Sequence, residues 1–180
     1  MNTKKIAGTG LFAALTIVFT LISNYVQIGT VSINLSLIPI AIAGIMYGPL
    51  AGFLVGLVNG GFVMLAPSTA AFFGISVYGT IIVCLLKSSL AGLISAILYK
   101  LISKKNDLVG MIIASLVVPF INTGLFICGA LIFFSGTFGN LISIFISVNF
   151  LIEFGVTLIL APATAKAIKQ YTKNNKNKCE

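Results

Sequence analysis

The chain has 180 residues, of which 58% are hydrophobic and 8% charged, and its formal net charge is +8. Soluble domains carry about 25% charged residues, so this chain has too little polar material to coat a water-facing surface. These values exclude an ordinary soluble enzyme, a disordered tail and a nucleic-acid-binding domain, and they indicate an all-α integral membrane protein.

The apolar stretches predict a single membrane domain, a bundle of six transmembrane helices. A helix needs roughly 20 mostly apolar residues to cross a bilayer. The predicted spans cover residues 6–23, 31–47, 50–66, 79–101, 108–134 and 140–168, and a basic tail occupies 169–180. The second and third spans are short, and Gly48-Pro49 separates them because proline disfavours a helical residue before it.

Small residues recur every four positions on two of the early spans. Gly10 and Ala14 share a face of the first span, and Gly52, Gly56 and Gly60 share a face of the third. Such faces let helix backbones approach closely in lipid. They indicate either packing inside this bundle or docking of another membrane subunit.

The connection after the third span is uncharged and rich in apolar residues. It includes Pro67, Phe72 and Phe73. Two interpretations stay open: a lid loop that folds over a pocket, and an aromatic anchor in the headgroup layer.

Polar residues inside the last three spans predict a solute site. Lys87 and Glu153 are the ionisable residues within spans, and an intramembrane charge usually faces a cavity or a partner. They therefore indicate an ion pair, a solute site, or both. Asn149 precedes Glu153 by one turn, and Asn122 follows Pro119, which should kink the fifth span. We predict that Lys87, Asn122, Asn149 and Glu153 bind substrate.

The sequence predicts no catalytic residue, metal ligand or cofactor. It contains no His, its other acidic residues are Asp107 in a connection and Glu180 at the end, and it has no G-x-x-x-x-G-K-[ST] loop. A paired-carboxylate mechanism has no pair, and the chain has no ATP site of its own. We therefore expect that it is not an enzyme.

The lysines predict the orientation in the membrane. With six spans, every lysine except Lys87 falls on one side: Lys4, Lys5, Lys100, Lys104, Lys105, Lys166, Lys169, Lys173, Lys176 and Lys178. Positive residues stay on the cytoplasmic side, so both termini are predicted to be cytoplasmic.

A set of these features occurs together in one known family. The most specific is the segment from Leu37-Ile38-Pro39 to Gly48-Pro49-Leu50-Ala51-Gly52, joined by Lys87 before Gly92 and by Asn149 with Glu153. In these features and in its six spans, nearly the whole chain resembles the S components of energy-coupling factor (ECF) transporters. S components are substrate-binding membrane subunits that serve vitamin uptake in prokaryotes.

The resemblance implies a mechanism and partners. An S component of the cell membrane binds its solute from outside under a loop lid. It associates with a transmembrane coupling subunit and two ATP-binding cassette ATPases, which topple it and release the solute inside. Its first three spans form the docking face. Many members carry an Ala-xxx-Ala pair there, which Gly10 and Ala14 match except at the first residue.

The solute is predicted from the charge at the site. Lys87 could hold a carboxylate, so a small acidic vitamin such as pantothenate ranks first, before riboflavin or folate. The alternative function is a small channel or a structural scaffold subunit without a solute. A channel is disfavoured because the cytoplasmic halves of the last three spans are apolar, whereas a water-filled path needs polar residues.

Overall fold

The computed structural model describes residues 3–25, 27–28, 31–32, 34–133 and 140–176. These residues form a helical bundle with one small hairpin. The elements in chain order are α1 (Thr3–Tyr25), β1 (Gln27–Ile28), β2 (Val31–Ser32), α2 (Leu37–Tyr47), α3 (Pro49–Val63), α4 (Pro67–Phe73), α5 (Val77–Ile102), α6 (Asp107–Phe133) and α7 (Asn140–Lys176). The two strands pair antiparallel.

Four of the described helices are long and apolar enough to cross a membrane. These segments are Thr3–Ser23, Val77–Ile102, Asp107–Phe133 and Phe150–Gln170. The helices α2 and α3 have 11 and 15 residues, and α2 is therefore only about 16 Å long at a rise of 1.5 Å per residue. The described helices thus agree with an α-helical membrane protein, while the count of six spans stays a prediction.

The predicted break between the second and third spans is present. Gly48 ends α2 with a positive φ of 98°, a conformation that glycine adopts readily, and Pro49 opens α3. The helix α2 itself begins at residue 37 and not at 31, because residues 31–32 belong to the hairpin. The segment 67–73, predicted as a loop, is the short helix α4.

The helix α2 lies at the centre of the bundle. All its residues from Leu37 to Ile45 are buried, and it packs against α1, α3, α5, α6 and α7. A helix that is apolar all round occurs in a protein interior or within a membrane, and its five neighbouring helices place α2 in the interior. These five helices therefore surround the short helix α2.

The glycine face of α3 packs directly on α5. A Cβ at Gly60 would lie 2.5 Å from the Cys84 carbonyl oxygen, and one at Gly52 or Gly56 would meet the backbone of Gly92 or Ser88. This face therefore serves packing inside the bundle. Gly10 on α1 differs, since its added Cβ would meet nothing within 4 Å.

One end of the bundle collects the helix ends that carry lysines. Lys169 Nζ on α7 lies 2.6 Å from Asp107 Oδ1 at the start of α6, and it also donates to the Tyr99 hydroxyl near the end of α5. The Tyr99 hydroxyl donates to the same Asp107 oxygen at 2.6 Å. The start of α1 lies near the end of α2, because an added Cβ at Gly8 would meet the ring of Tyr47. The end of α5, the start of α6 and the part of α7 that carries Lys169 therefore lie together, and the side on which the termini lie stays a prediction.

Candidate functional site

Glu153 is buried in α7 and binds the segment that precedes α2. Its side chain is 3% exposed, and its Oε1 accepts the backbone N–H of Asn34 at 3.1 Å. A buried carboxylate is costly unless hydrogen bonds compensate it. Glu153 therefore holds α7 to the residues before α2, a contact that the sequence did not predict.

Lys87 on α5 places its ammonium group over an aromatic ring. Its Nζ lies 4.9 Å from the centroid of the Phe126 ring on α6. Such cation–π contacts stabilise a partly desolvated ammonium group. Between described residues the structure shows the ion pair Lys169–Asp107. The two interpretations of Lys87 and Glu153, an ion pair and a solute site, both stay predictions.

The same aromatic ring connects Lys87 to α4. Phe72 packs edge-on against Phe126, with 5.6 Å between the ring centroids. Pro67 is the first residue of α4, and Phe73, its last, is half-buried. The helix α4 therefore packs on the same ring that Lys87 contacts.

Asn122 presents a buried acceptor without a protein partner. Its side chain is 5% exposed, and no hydrogen bond to its Oδ1 occurs among the described residues. Such an orphaned acceptor costs about 1–3 kcal/mol. It lies one turn after Pro119 in α6. Because proline has no backbone N–H, the carbonyl one turn before Pro119 receives no hydrogen bond from it. This part of α6 can therefore accept hydrogen bonds from a solute or from water.

A buried hydrogen-bond network joins α1, α3, α5 and the segment before α2. Asn59 on α3 is fully buried, and its Oδ1 accepts from Ser36 at 2.6 Å and from Thr20 at 3.0 Å. Its Nδ2 donates to Ser88, the neighbour of Lys87, at 3.0 Å. Ser36 also contacts the side-chain amide of Asn34.

The structure brings some predicted residues together and leaves others apart. Glu153 is linked to Ser88, beside Lys87, through Asn34, Ser36 and Asn59. Asn122 belongs to α6, which packs on both α5 and α7, but it is not part of this network. The Asn149 side chain lies outside the described part of the structure.

Sequence reasoning did not assign Asn34, Ser36 and Thr20 to the site. A usable signal was present, because Asn34 and Ser36 are polar residues two positions apart at the entrance of an entirely apolar helix. That pattern alone does not reveal which helices bind them. Their partners are distant in sequence, so only the tertiary structure connects them.

Gly10 and Ala14 lie on an exposed face of α1. No other helix of the described chain covers Gly10 within 4 Å of an added Cβ. Exposed apolar residues Leu11 and Val18 flank the pair. This face is therefore open to lipid or to another protein.

Polar groups that can bind a polar solute occur on three neighbouring helices. They are the Lys87 ammonium group on the Phe126 ring, the Glu153 carboxylate and the orphaned amide oxygen of Asn122. The described residues contain no group of three or more His, Cys, Asp or Glu side chains that could hold a metal ion.

Comparisons with known proteins identify the family. Neither the curated proteins nor the solved structures give a significant match. The family model described as ECF transporter, substrate-specific component, matches residues 4–165. That match covers most of the chain and all the helices that carry the candidate site. The chain therefore belongs to the family of substrate-specific components of ECF transporters.

Proposed function

We propose that this chain is the solute-binding subunit of an ECF-type importer for a water-soluble vitamin, with pantothenate as the first candidate. It would lie in a prokaryotic cell membrane with six spans and both termini cytoplasmic. Lys87, Asn122, Asn149 and Glu153 would line the solute site. Family membership supports the transporter role, and the orphaned Asn122 acceptor carries the assignment of the site.

The chemistry of the site favours a solute with an anionic group and hydrogen-bond donors. The Lys87 ammonium lies on Phe126 and could pair with a carboxylate. Asn122 Oδ1 needs a donor. Pantothenate supplies a carboxylate together with hydroxyl and amide donors. Riboflavin and folate follow it, because their rings could stack on Phe126.

The helix α4 would act as the lid. Phe72 reaches Phe126, the ring that carries the Lys87 ammonium. A solute that displaced Lys87 from this ring would therefore also alter the packing of α4 against Phe126. Lid closure excludes water, which strengthens electrostatic contacts inside a site.

The import step would be driven by partners. The chain has no phosphate-binding loop for ATP, so energy would come from two ATP-binding cassette subunits through a transmembrane coupling subunit. We propose the α1 face with Gly10 and Ala14 as the docking surface. The exposure of both residues supports that role.

A vitamin panel tests the proposal. The purified protein in lipid nanodiscs is titrated with pantothenate, riboflavin and folate, and heat of binding and thermal unfolding are recorded. A solute at 100 times its Kd stabilises the folded state by about 2.7 kcal/mol, which a melting curve resolves. We expect pantothenate to bind and to raise the Tm.

Matched variants locate the bound solute. Lys87→Met should weaken pantothenate binding by about tenfold or more, because a hydrogen bond to a charged group is lost. Lys100→Met removes an exposed lysine from the same helix and should leave affinity unchanged. Binding of none of the vitamins would overturn the proposed function, and equal loss in both variants would overturn the assignment of Lys87.

A further inference from the structure

Asn59 is the centre of a buried network, although it lies outside the group of residues proposed to contact solute. Its side chain is fully buried, and it bonds residues of three other segments: Thr20 on α1, Ser36 before α2 and Ser88 on α5. An amide side chain offers two donors and an acceptor with two lone pairs. Asn59 Oδ1 therefore lies within hydrogen-bond distance of two hydroxyls, of which that of Thr20 also reaches the Thr16 carbonyl at 2.8 Å, and its Nδ2 uses one of its two donors.

The segment 34–36 is held by three different helices. The Asn34 N–H donates to Glu153 on α7 at 3.1 Å, and the Leu35 N–H donates to the Ser23 hydroxyl on α1 at 3.0 Å. The Ser36 hydroxyl bonds Asn59 on α3 at 2.6 Å. Three consecutive residues bound from three directions have little freedom to shift.

The Ser36 hydroxyl lies between the side-chain oxygens of Asn59 and Asn34 and not on its own helix. Serine at a helix N-cap commonly accepts a backbone N–H of the first turn, which stabilises a helix by about 0.5–2 kcal/mol. Ser36 occupies the N-cap of α2 and makes no such bond. Its hydroxyl bonds the Asn59 oxygen and contacts the Asn34 amide, so it connects α3 to the residue that binds Glu153.

We propose that Asn59 is a positioning residue for the solute site. Through Ser36 it fixes Asn34 on the Glu153 carboxylate, and through Ser88 it fixes the turn of α5 that carries Lys87. One amide thereby sets the relative position of the carboxylate and the ammonium group. This inference rests on the proposed function, but the effect of Asn59 on the position of residues 34–36 can be tested without a solute.

Hydrogen–deuterium exchange of the protein in nanodiscs, without solute, tests the positioning. Ser36→Val and Ser36→Thr introduce the same shape and differ only in the hydroxyl, so their difference isolates the hydroxyl that joins Asn59 to Asn34. Ser36→Val and Asn59→Leu should accelerate exchange at residues 34–36 by about tenfold, the effect of one lost hydrogen bond. Ser36→Thr should stay near the wild type.

Ser115→Ala is the control for removal of a buried hydroxyl. Ser115 is fully buried on α6 and donates to the Met111 carbonyl of its own helix. It should leave exchange at residues 34–36 unchanged. Equal acceleration in this control or in Ser36→Thr would overturn the proposal, as would wild-type exchange in Ser36→Val. If Asn59→Leu fails to fold, the Ser36 pair still decides the question.

A second measurement connects the geometry to binding. Release of radiolabelled pantothenate should be about tenfold faster from Ser36→Val than from Ser36→Thr. Equal release rates would overturn the positioning role while leaving pantothenate binding intact. Absence of pantothenate binding in the wild type would instead refute the proposed solute, and the exchange experiment would still decide whether Asn59 positions the segment.

Discussion

Glu153 and Asn122 are both buried polar residues, yet their surroundings differ. Glu153 accepts a backbone N–H from Asn34, whereas Asn122 Oδ1 finds no donor among the described residues. Burial of an unsatisfied acceptor is unfavourable. The fold therefore stabilises one group by itself and leaves the other for a solute or water to satisfy.

The structural role of Glu153 can be tested by substitution. Glu153→Leu leaves the Asn34 N–H without its acceptor and should lower the free energy of unfolding by about 1–3 kcal/mol. Glu153→Gln retains an oxygen at the same place and should lose less. Chemical or thermal unfolding in detergent measures both. Because leucine also removes the cost of burying a carboxylate, the comparison of the two variants decides: equal stability of Glu153→Leu and Glu153→Gln would contradict a stabilising Asn34 contact.

At this scale the sequence predicted the type of residue but not its contacts. Lys87 and Glu153 stand out because charges are rare in apolar helices. The contact of Lys87 with Phe126, and that of Glu153 with Asn34, join residues far apart in the chain. Local patterns carry no information on such pairs, so the sequence left the ion-pair and solute-site interpretations of Lys87 and Glu153 both open.

The helices meet most closely where glycines lie on their surfaces. The glycine face of α3 allows its backbone to approach that of α5 at Gly52, Gly56 and Gly60. Without a hydrophobic driving force between helices in lipid, such close packing is a main source of association. The seam between α3 and α5 therefore supports Asn59 and Ser88, whose hydrogen bond crosses it.

Two alanine substitutions on α3 test this seam. A Cβ at Gly56 would collide with the backbone of Ser88, whereas one at Gly61 would meet nothing within 4 Å. Gly56→Ala should lower the free energy of unfolding by about 1–3 kcal/mol through overpacking. Gly61→Ala should be neutral or stabilise the helix by up to about 1 kcal/mol. Similar stabilities of the two variants in thermal unfolding would contradict close packing at Gly56.

The exposed face of α1 leads to a prediction about transport. Ala14→Leu adds bulk to a surface that no described helix covers, so solute binding should be unchanged. If this face docks the coupling subunit, vitamin uptake by the assembled importer should fall by about tenfold or more.

An exposed alanine on another helix provides the control for Ala14→Leu. Ala163 lies on α7 and is also exposed, so Ala163→Leu should leave uptake near the wild-type rate. Uptake is measured in membrane vesicles with all partner subunits present. Normal uptake by Ala14→Leu, or an equal loss in both variants, would refute docking through this face.

The boundaries of the elements show which signals a sequence contains. The break at Gly48-Pro49 was predicted correctly, because glycine and proline act on their own backbone. The start of α2 was placed at residue 31 and lies at 37. Hydropathy does not distinguish a short apolar strand from the first turns of a helix. The polar residues Asn34 and Ser36 mark the true start only through contacts with distant helices.

Within the described residues, one end of the bundle carries a cluster of charged side chains. The end with Tyr99, Asp107 and Lys169 gathers charged side chains where α5 ends and α6 begins. The Asn59 network and Glu153 lie toward the other end, where α3 runs antiparallel to α5 from the Gly52–Gly92 contact to the Gly60–Cys84 contact. The lysine pattern predicts that the charged end faces the cytoplasm, so the network and the site would lie toward the outer side.

Cysteine labelling of intact cells tests this orientation. In a background without Cys84, Cys128 and Cys179, single cysteines are introduced as Leu65→Cys and Lys104→Cys. Leu65 is 77% exposed in the turn after α3, and Lys104 is exposed in the turn between α5 and α6. A membrane-impermeant maleimide should label only the Leu65→Cys variant, since the positive end is expected to stay inside.

The controls separate orientation from accessibility. Permeabilised cells should label both single-cysteine variants, and the cysteine-free parent should label in neither condition. Labelling of Lys104→Cys in intact cells, with protection of Leu65→Cys, would reverse the bundle. The Asn122 acceptor and the Lys87 ammonium group would then lie toward the cytoplasm, and a subunit that captures its solute from outside could not use them as its first binding site.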